Sequence, residues 1–218
     1  MPFWLFGYGS LVSLAPHAAG GDKVKYARKV EGHVRGYRRT WHQGSTDHRG
    51  TPEAPGRTVT LVPWENGTVV GAAFEVVGAT AEEENEAMAY LEWREKQYDV
   101  RLELDFFEGP PPPPGVQVTD APICRCLTFV GTPAAANVNY LGRPDSMDAL
   151  AAQIATRQGP SGLNRDYLFS LSTALREFFS GALAEFDDCT SSDKHYDDFE
   201  NEVEALFALE RAVRAKLG

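Results

Sequence analysis

Glu95 is a carboxylate at a position that helical spacing assigns to an apolar side chain. In the segment Thr80 to Tyr98 (TAEEENEAMAYLEWREKQY), the most amphipathic helix the sequence offers, Met88, Leu91, Glu95 and Tyr98 share one stripe, while the N-terminal glutamates fall mostly elsewhere. The stripe turns Glu95 toward the core. Burial disfavours the charged form and raises the pKa, which suits proton transfer near neutral pH, and leaving the group without partners costs roughly 3 kcal/mol or more. Two readings stand: an ion pair with an arginine such as Arg94 or Arg101, or a general acid/base.

A second feature is Gly7-Tyr8-Gly9-Ser10 at the end of the short apolar run Phe3 to Phe6. It is not a dinucleotide fingerprint, because the third glycine would fall at Val12 and no βαβ unit follows. No Gly-Lys-Ser/Thr follows either, which excludes a P-loop. What remains is a glycine-flanked strand end whose backbone N–H groups line an anion or oxyanion site, or simply a tight turn. His42, Asp47 and His48 match no metal-site spacing, and the arginines beside them would repel a cation. Ser10, Ser45 and Ser161 lie near glycines, but none occupies a Gly-x-Ser-x-Gly elbow. Tyr167 opens the penultimate helix, where its phenol either reaches a pocket or packs with its hydroxyl in water.

These groups need a scaffold. The pattern predicts a buried first strand at Phe3 to Phe6, an extended region from Val30 to Trp41, and a long Gly/Pro/Ser/Asp loop over residues 43 to 57 of the kind that often carries function. Arg57 to Trp64 and Thr68 to Val77 flank Asn66-Gly67, a hairpin signal. Val100 to Phe107 puts Leu102, Leu104 and Phe106 on one side of a strand, and Cys124 to Val130 gives another. The run Gly109 to Gly115 (GPPPPPG) reads as a rigid surface connection. Asp148 to Gln158, Asp166 to Phe179 and Asn201 to Leu217 read as helices, the second capped by Asn164 or a neighbour. Between Glu185 and Glu204 lie nine acids and one lysine, read as a solvated insertion. The order of elements indicates one α+β domain over residues 1–218, built on a mixed or antiparallel sheet that is able to close as a barrel.

The formal net charge of −10 argues against nucleic-acid or membrane-surface partners, both polyanionic. From Arg28 to Arg57, however, seven positive residues stand against three negative ones, which suits recognition of a small carboxylate. No apolar run approaches the roughly 20 residues needed to span a bilayer. The first ten residues lack the basic flank of a signal peptide. The three cysteines, Cys124, Cys126 and Cys189, form neither a disulfide framework nor a zinc pattern, so the expected compartment is the reducing cytoplasm.

Taken together, FGYGSL (6–11), WHQGSTDHRGTPEAPGRTVTLV (41–62), YLEWRE (90–95), YLGRP (140–144), GPSGLNRDYLFSL (159–171) and LFALERAV (206–213) resemble the ChaC-type γ-glutamylcyclotransferases, almost from end to end and in order. The resemblance implies a small mixed β-barrel with flanking helices and an enzyme that degrades glutathione to 5-oxoproline and cysteinylglycine, with no cofactor and no metal. It places γ-glutamyl binding on Gly7, Tyr8, Gly9, Ser10, Leu11 and Val12, acid/base chemistry on Glu95, a second carboxylate of importance on Glu86 and a pocket tyrosine on Tyr167. Arg39 is the candidate receptor for the glycine carboxylate. Where some relatives continue Arg-Glu with Gly-Gly-Tyr, here Lys96-Gln97-Tyr98 continues the helical pattern. Cyclisation of other γ-glutamyl amino acids or amines, and a non-catalytic γ-glutamyl-binding module, are the alternatives; monomer and dimer both remain open.

Overall fold

The computed structural model describes residues 3–13, 24–78, 80–113, 116, 118–188 and 194–218. Five strands close a barrel: β1 Phe3–Gly7, β2 Lys25–Ser45, β3 Gly56–Val77, β4 Val100–Glu108 and β5 Cys124–Val130, in the order β1-β3-β2-β4-β5. Closure comes from β1 and β5, the parallel pair of the barrel, in the register Trp4↔Cys126 and Leu5↔Leu127. The other neighbours run antiparallel. The sheet is therefore mixed, and closing it removes the open edges that a five-stranded sheet would expose.

β2 and β3 form one long hairpin, from Lys25↔Val77 to Ser45↔Gly56, and residues 46–55 connect them. This overturns the hairpin expected at Asn66-Gly67. Arg57 to Trp64 and Thr68 to Val77 both belong to β3 and both pair with β2, and the register jumps from Arg35↔Thr68 to Tyr37↔Pro63. Asn66 does adopt φ 61°, and Gly36 opposite the jump adopts φ 82°, so the left-handed residue serves an irregularity within a strand.

Helix α1 is the single turn Ser10–Ser13, and α2 spans Ala81–Arg94. The remaining helices are α3 Met147–Thr156, α4 Asn164–Glu177 and α5 Glu202–Ala215. Caps set their starts: Thr80 accepts from Glu83 N, Ser146 from Ala149 N, and Asn201 from Val203 N and Glu204 N. Asn164 is not the cap expected. It is the first residue of α4, and its side-chain amide grips the backbone N and O of Arg57 at 2.7 and 2.8 Å, tying the helix start to the start of β3. A two-residue hairpin, β6 Gln158–Gly159 and β7 Gly162–Leu163, joins α3 to α4.

Trp41 on β2 is fully buried and meets Tyr167 and Tyr196 edge-on, so an aromatic cluster joins the barrel to the helices. The acidic stretch departs from the reading of a solvated insertion: Tyr196, Asp197, Phe199 and Glu202 are all buried. Cys189 and the rest of 189–193 lie outside the described residues, as do positions 114 and 115 of the proline run. Among the described residues, no helix is long and apolar enough to cross a membrane.

Candidate active site

The C-terminal ends of β1, β2 and β5 and the start of β3 meet at one end of the barrel, where a cavity of about 390 Å³ opens. That size is typical of a small-molecule pocket. Its walls are the turn after β1, the end of α2, the 46–55 loop with the β6–β7 hairpin, and Tyr167 on α4.

The glycine turn has no room for side chains. A Cβ on Gly7 would lie 2.6 Å from that of Leu11, and one on Gly9 would lie 2.8 Å from the Tyr167 hydroxyl oxygen and 3.1 Å from Val59 Cγ2. Gly7, Tyr8, Gly9, Ser10 and Leu11 line the cavity. Val12 is buried beneath them, its N–H donating to Gly9 O at 3.0 Å.

Glu95 also lines the cavity, though not from within a helix. Helix α2 ends at Arg94, and Glu95 caps it, its N–H donating to Leu91 O at 2.9 Å and its carbonyl accepting from Tyr98 N at 2.8 Å. Of the expected stripe, Leu91 is buried whereas Met88 is only partly so. The helix is far from the most amphipathic in the chain: α4 and α5 present much larger buried faces. Lys96 and Gln97 leave the helix in a turn pinned to its surroundings, with Gln43 Nε2 donating to Gln97 O and Gln97 Nε2 donating to Thr46 Oγ1, both at 2.7 Å.

The Glu95 carboxyl keeps 16% of its side-chain surface exposed, facing the cavity, and pairs with Arg94 Nε at 3.3 Å. Arg94 also donates from Nη2 to Ser10 Oγ at 3.2 Å, bridging the acid and the glycine turn. Arg101 pairs instead with Glu92. Burial pushes the Glu95 pKa above the usual carboxylate range, against the lowering pull of Arg94. Its place at the negative end of α2 acts in the same direction as burial.

Three phenols surround this carboxyl. Tyr8 donates to Phe129 O at 2.6 Å and Tyr98 to Val59 O at 2.8 Å. Tyr167 instead accepts from Val59 N at 3.4 Å, which leaves its own proton available to a ligand. Burial raises the pKa of all three, so each stays a neutral donor.

Two expected residues lie elsewhere. Arg39 is fully buried, with Nη1 2.7 Å from Glu202 Oε2 and Nη2 donating to Val70 O, so it does not receive a substrate carboxylate; its charge is already spent on α5. Glu86 is exposed on α2, away from the cavity wall. The basic segment likewise resolves into structural contacts: Arg28 pairs with Glu75, Arg35 with Asp120, and Arg57 donates to Trp41 O, Gly142 O and Gln153 Oε1. Only Arg49 of that group reaches the cavity, where Arg94, His48 and Ser161 join it. The sequence carried a signal for Arg49 in the basic run, but none that separated it from its neighbours. Among the described residues no group of His, Cys, Asp or Glu has the arrangement of a metal site. His42 is bound to Asp197 and Tyr140, and His48 to Ser161.

Against known families, the model of the ChaC-like proteins matches residues 3–206. The chain belongs to the ChaC-like family. Among its relatives, γ-glutamylcyclotransferase 2-3 of Arabidopsis thaliana is 36% identical over 209 residues, covering 95% of this chain and 92% of the relative. The glutathione-specific γ-glutamylcyclotransferase 1 of Homo sapiens is 38% identical over 172 residues, 78% of this chain and 68% of its own length. A crystal structure of a glutathione-specific γ-glutamylcyclotransferase from yeast superposes with a TM-score of 0.69 at 24% identity, covering 98% of this chain and 96% of that one, which shows a shared fold. The mixed barrel with flanking helices is thus the ChaC-like architecture, and the cavity lies within the matched region.

Proposed function

We propose that this ChaC-like protein is a glutathione-specific γ-glutamylcyclotransferase that converts glutathione to 5-oxoproline and cysteinylglycine, with Glu95 as general base and then general acid. The observation that carries the reading is a buried, proton-avid carboxyl in the same cavity as a glycine turn and three fixed phenols. The names of the relatives agree with it.

Little chemistry is needed from the protein. The α-ammonium of the γ-glutamyl residue gives a proton to Glu95, and the freed amine attacks its own γ-carbonyl carbon. As the five-membered ring closes, the attacking nitrogen sheds a second proton; one of the two protons passes through Glu95 to the departing amide nitrogen, the C–N bond breaks, and the other is taken up by the freed amine, so that cysteinylglycine leaves as an ammonium and the lactam keeps a single N–H. Neither an enzyme nucleophile nor an attacking water enters the balance. General acid/base help of this kind is worth on the order of 10² to 10⁴ in rate. Holding amine and carbonyl together contributes more, up to roughly 7 to 11 kcal/mol in favourable systems. The backbone of Gly7 to Leu11, with Ser10 and the free proton of Tyr167, is suited to hold the γ-glutamyl carboxylate and the developing oxyanion. The substrate, a thiol, fits action in the reducing cytoplasm.

Incubation with reduced glutathione and mass detection of the two products tests substrate, reaction and bond at once. Glu95→Gln is expected to fold normally and to lose at least 10²-fold in turnover. Wild-type turnover in that variant would reject Glu95 as the base.

A further inference from the structure

Among the described residues, Arg49 is the one arginine or lysine of the basic segment that reaches the cavity, and no carboxylate pairs with it. Its neighbours are committed: Arg28, Arg35 and Arg39 to carboxylates, Arg57 to carbonyls and an amide, Arg38 to Phe199 O at 2.5 Å and to Asp197 O, and Lys29 to Val12 O at 3.2 Å. Arg49 donates from Nη1 to Leu163 O at 3.1 Å and lies 5.9 Å from the centre of the Tyr167 ring. Among the described residues no carboxylate lies within ion-pairing distance of it. It is half-buried at the cavity wall, and burial pulls its pKa down, against a pull from Tyr167 and a weaker one from Asp166 beyond contact distance. A guanidinium stripped of part of its water without a matching anion is poised to take a carboxylate.

The same wall carries a polar pair. His48 Nδ1 lies 3.0 Å from Ser161 Oγ, while His48 Nε2 is 3.8 Å from Asp47, too far for a hydrogen bond. Burial lowers the His48 pKa and favours the neutral ring. In the Nδ1–H tautomer the ring donates to Ser161, which frees the hydroxyl proton for a ligand. Ser161 N donates to His48 O at 2.9 Å, so the β6–β7 hairpin and the 46–55 loop hold the pair together.

We propose that Arg49, with the Ser161 hydroxyl, forms a subsite for the C-terminal carboxylate of the tripeptide and so selects glutathione over γ-glutamyl compounds that lack it. The inference rests on the function proposed above and on reach. Glu95 must face the α-ammonium, and the α-carboxylate, bonded to the same carbon, then falls near the glycine turn and Ser10. The C-terminal carboxylate lies two residues beyond the γ-carbonyl, roughly 7 Å from it when extended, and lands on another wall. Tyr167 is close enough to both Glu95 and Arg49 for each to act on its phenol.

The test uses full-length protein with two probes, glutathione and its glycinamide, which differ by one charge. Wild type is expected to prefer the acid by about 10- to 100-fold in kcat/KM, through KM. In Arg49→Gln that preference collapses because kcat/KM for the acid falls to the level of the amide, while kcat/KM for the amide changes far less; Arg49→Lys keeps part of the preference. Equal losses on both probes would overturn the proposal by assigning Arg49 to the γ-glutamyl end. A wild type indifferent to the amide overturns it whatever becomes of the variants. If wild type releases 5-oxoproline from neither probe, the activity itself is rejected and the subsite with it, a result distinct from turnover without preference.

Discussion

At Glu95, two opposing influences set the affinity for a proton: burial and the helix end raise it, and the Arg94 guanidinium at 3.3 Å lowers it. The base must be ionised to accept a proton, so activity is lost as pH falls through its pKa, on the acid limb of kcat/KM. Arg94→Gln removes the lowering influence and is expected to move that limb to higher pH, with a several-fold loss at neutral pH that recovers on the alkaline side; Arg94→Lys keeps the limb near its wild-type position. A pH profile decides it, since a variant with only damaged packing loses rate evenly at every pH. Glu95 drew notice in the sequence as an acid on an apolar stripe, but that stripe was only partly right, since the helix ends at Arg94 and Glu95 reaches the cavity from its C-cap. Arg94 was legible as its partner, but not as a bridge to Ser10, 84 positions away along the chain. Arg39 misled for the same reason: nothing local points to Glu202.

At the scale of elements, the glycine turn and α4 are fitted to one another through Gly9 and Tyr167. Gly9→Ala would push a methyl group against the Tyr167 hydroxyl oxygen at 2.8 Å and Val59 at 3.1 Å. The expected cost is about 1 to 3 kcal/mol of stability by overpacking, and on the order of 10²-fold in kcat/KM from displacement of the site. Pairing it with Tyr167→Phe removes the atom in the way. Thermal unfolding should then recover toward wild type while activity does not, because the donor is gone; failure of stability to recover would place the clash elsewhere. Strands and helices were largely legible, since their apolar periods are local. The Asn66-Gly67 signal failed because a left-handed residue serves a strand irregularity as well as a turn, and only the partner strand, remote in sequence, tells them apart.

Over the whole molecule, the acidic C-terminal region acts as a strap across the barrel. Its charge suggested solvation, but Tyr196 and Phe199 anchor it by burial, and composition alone did not reveal which acids would find cations. Asp197 meets His42 at 2.9 Å, and Glu202, at the start of α5, meets Arg39 while also accepting from Val70 N at 2.8 Å. Glu202 and Arg39 are 163 positions apart, so their pair closes the chain's two halves on one another. Breaking a buried pair by removing one partner costs about 3 to 5 kcal/mol, roughly 6 to 20 °C in Tm at this chain length. The two single variants should differ in how that cost depends on pH. In Arg39→Met, Glu202 is left in a site whose burial already raises its pKa against the pull of Arg39, and it can retreat to the neutral acid. A carboxyl whose folded pKa lies above its unfolded value favours folding below the unfolded pKa and loses that contribution as pH rises through the folded one. Arg39→Met should therefore lose more stability at pH 8 than at pH 5. Glu202→Gln keeps an acceptor for Val70 N but leaves a guanidinium with no neutral form to adopt at accessible pH, so its deficit relative to wild type should lack that relief in acid. Chemical denaturation of both variants at the two pH values measures the difference. Parallel pH dependence would mean that Glu202 is not the group that titrates when Arg39 is gone.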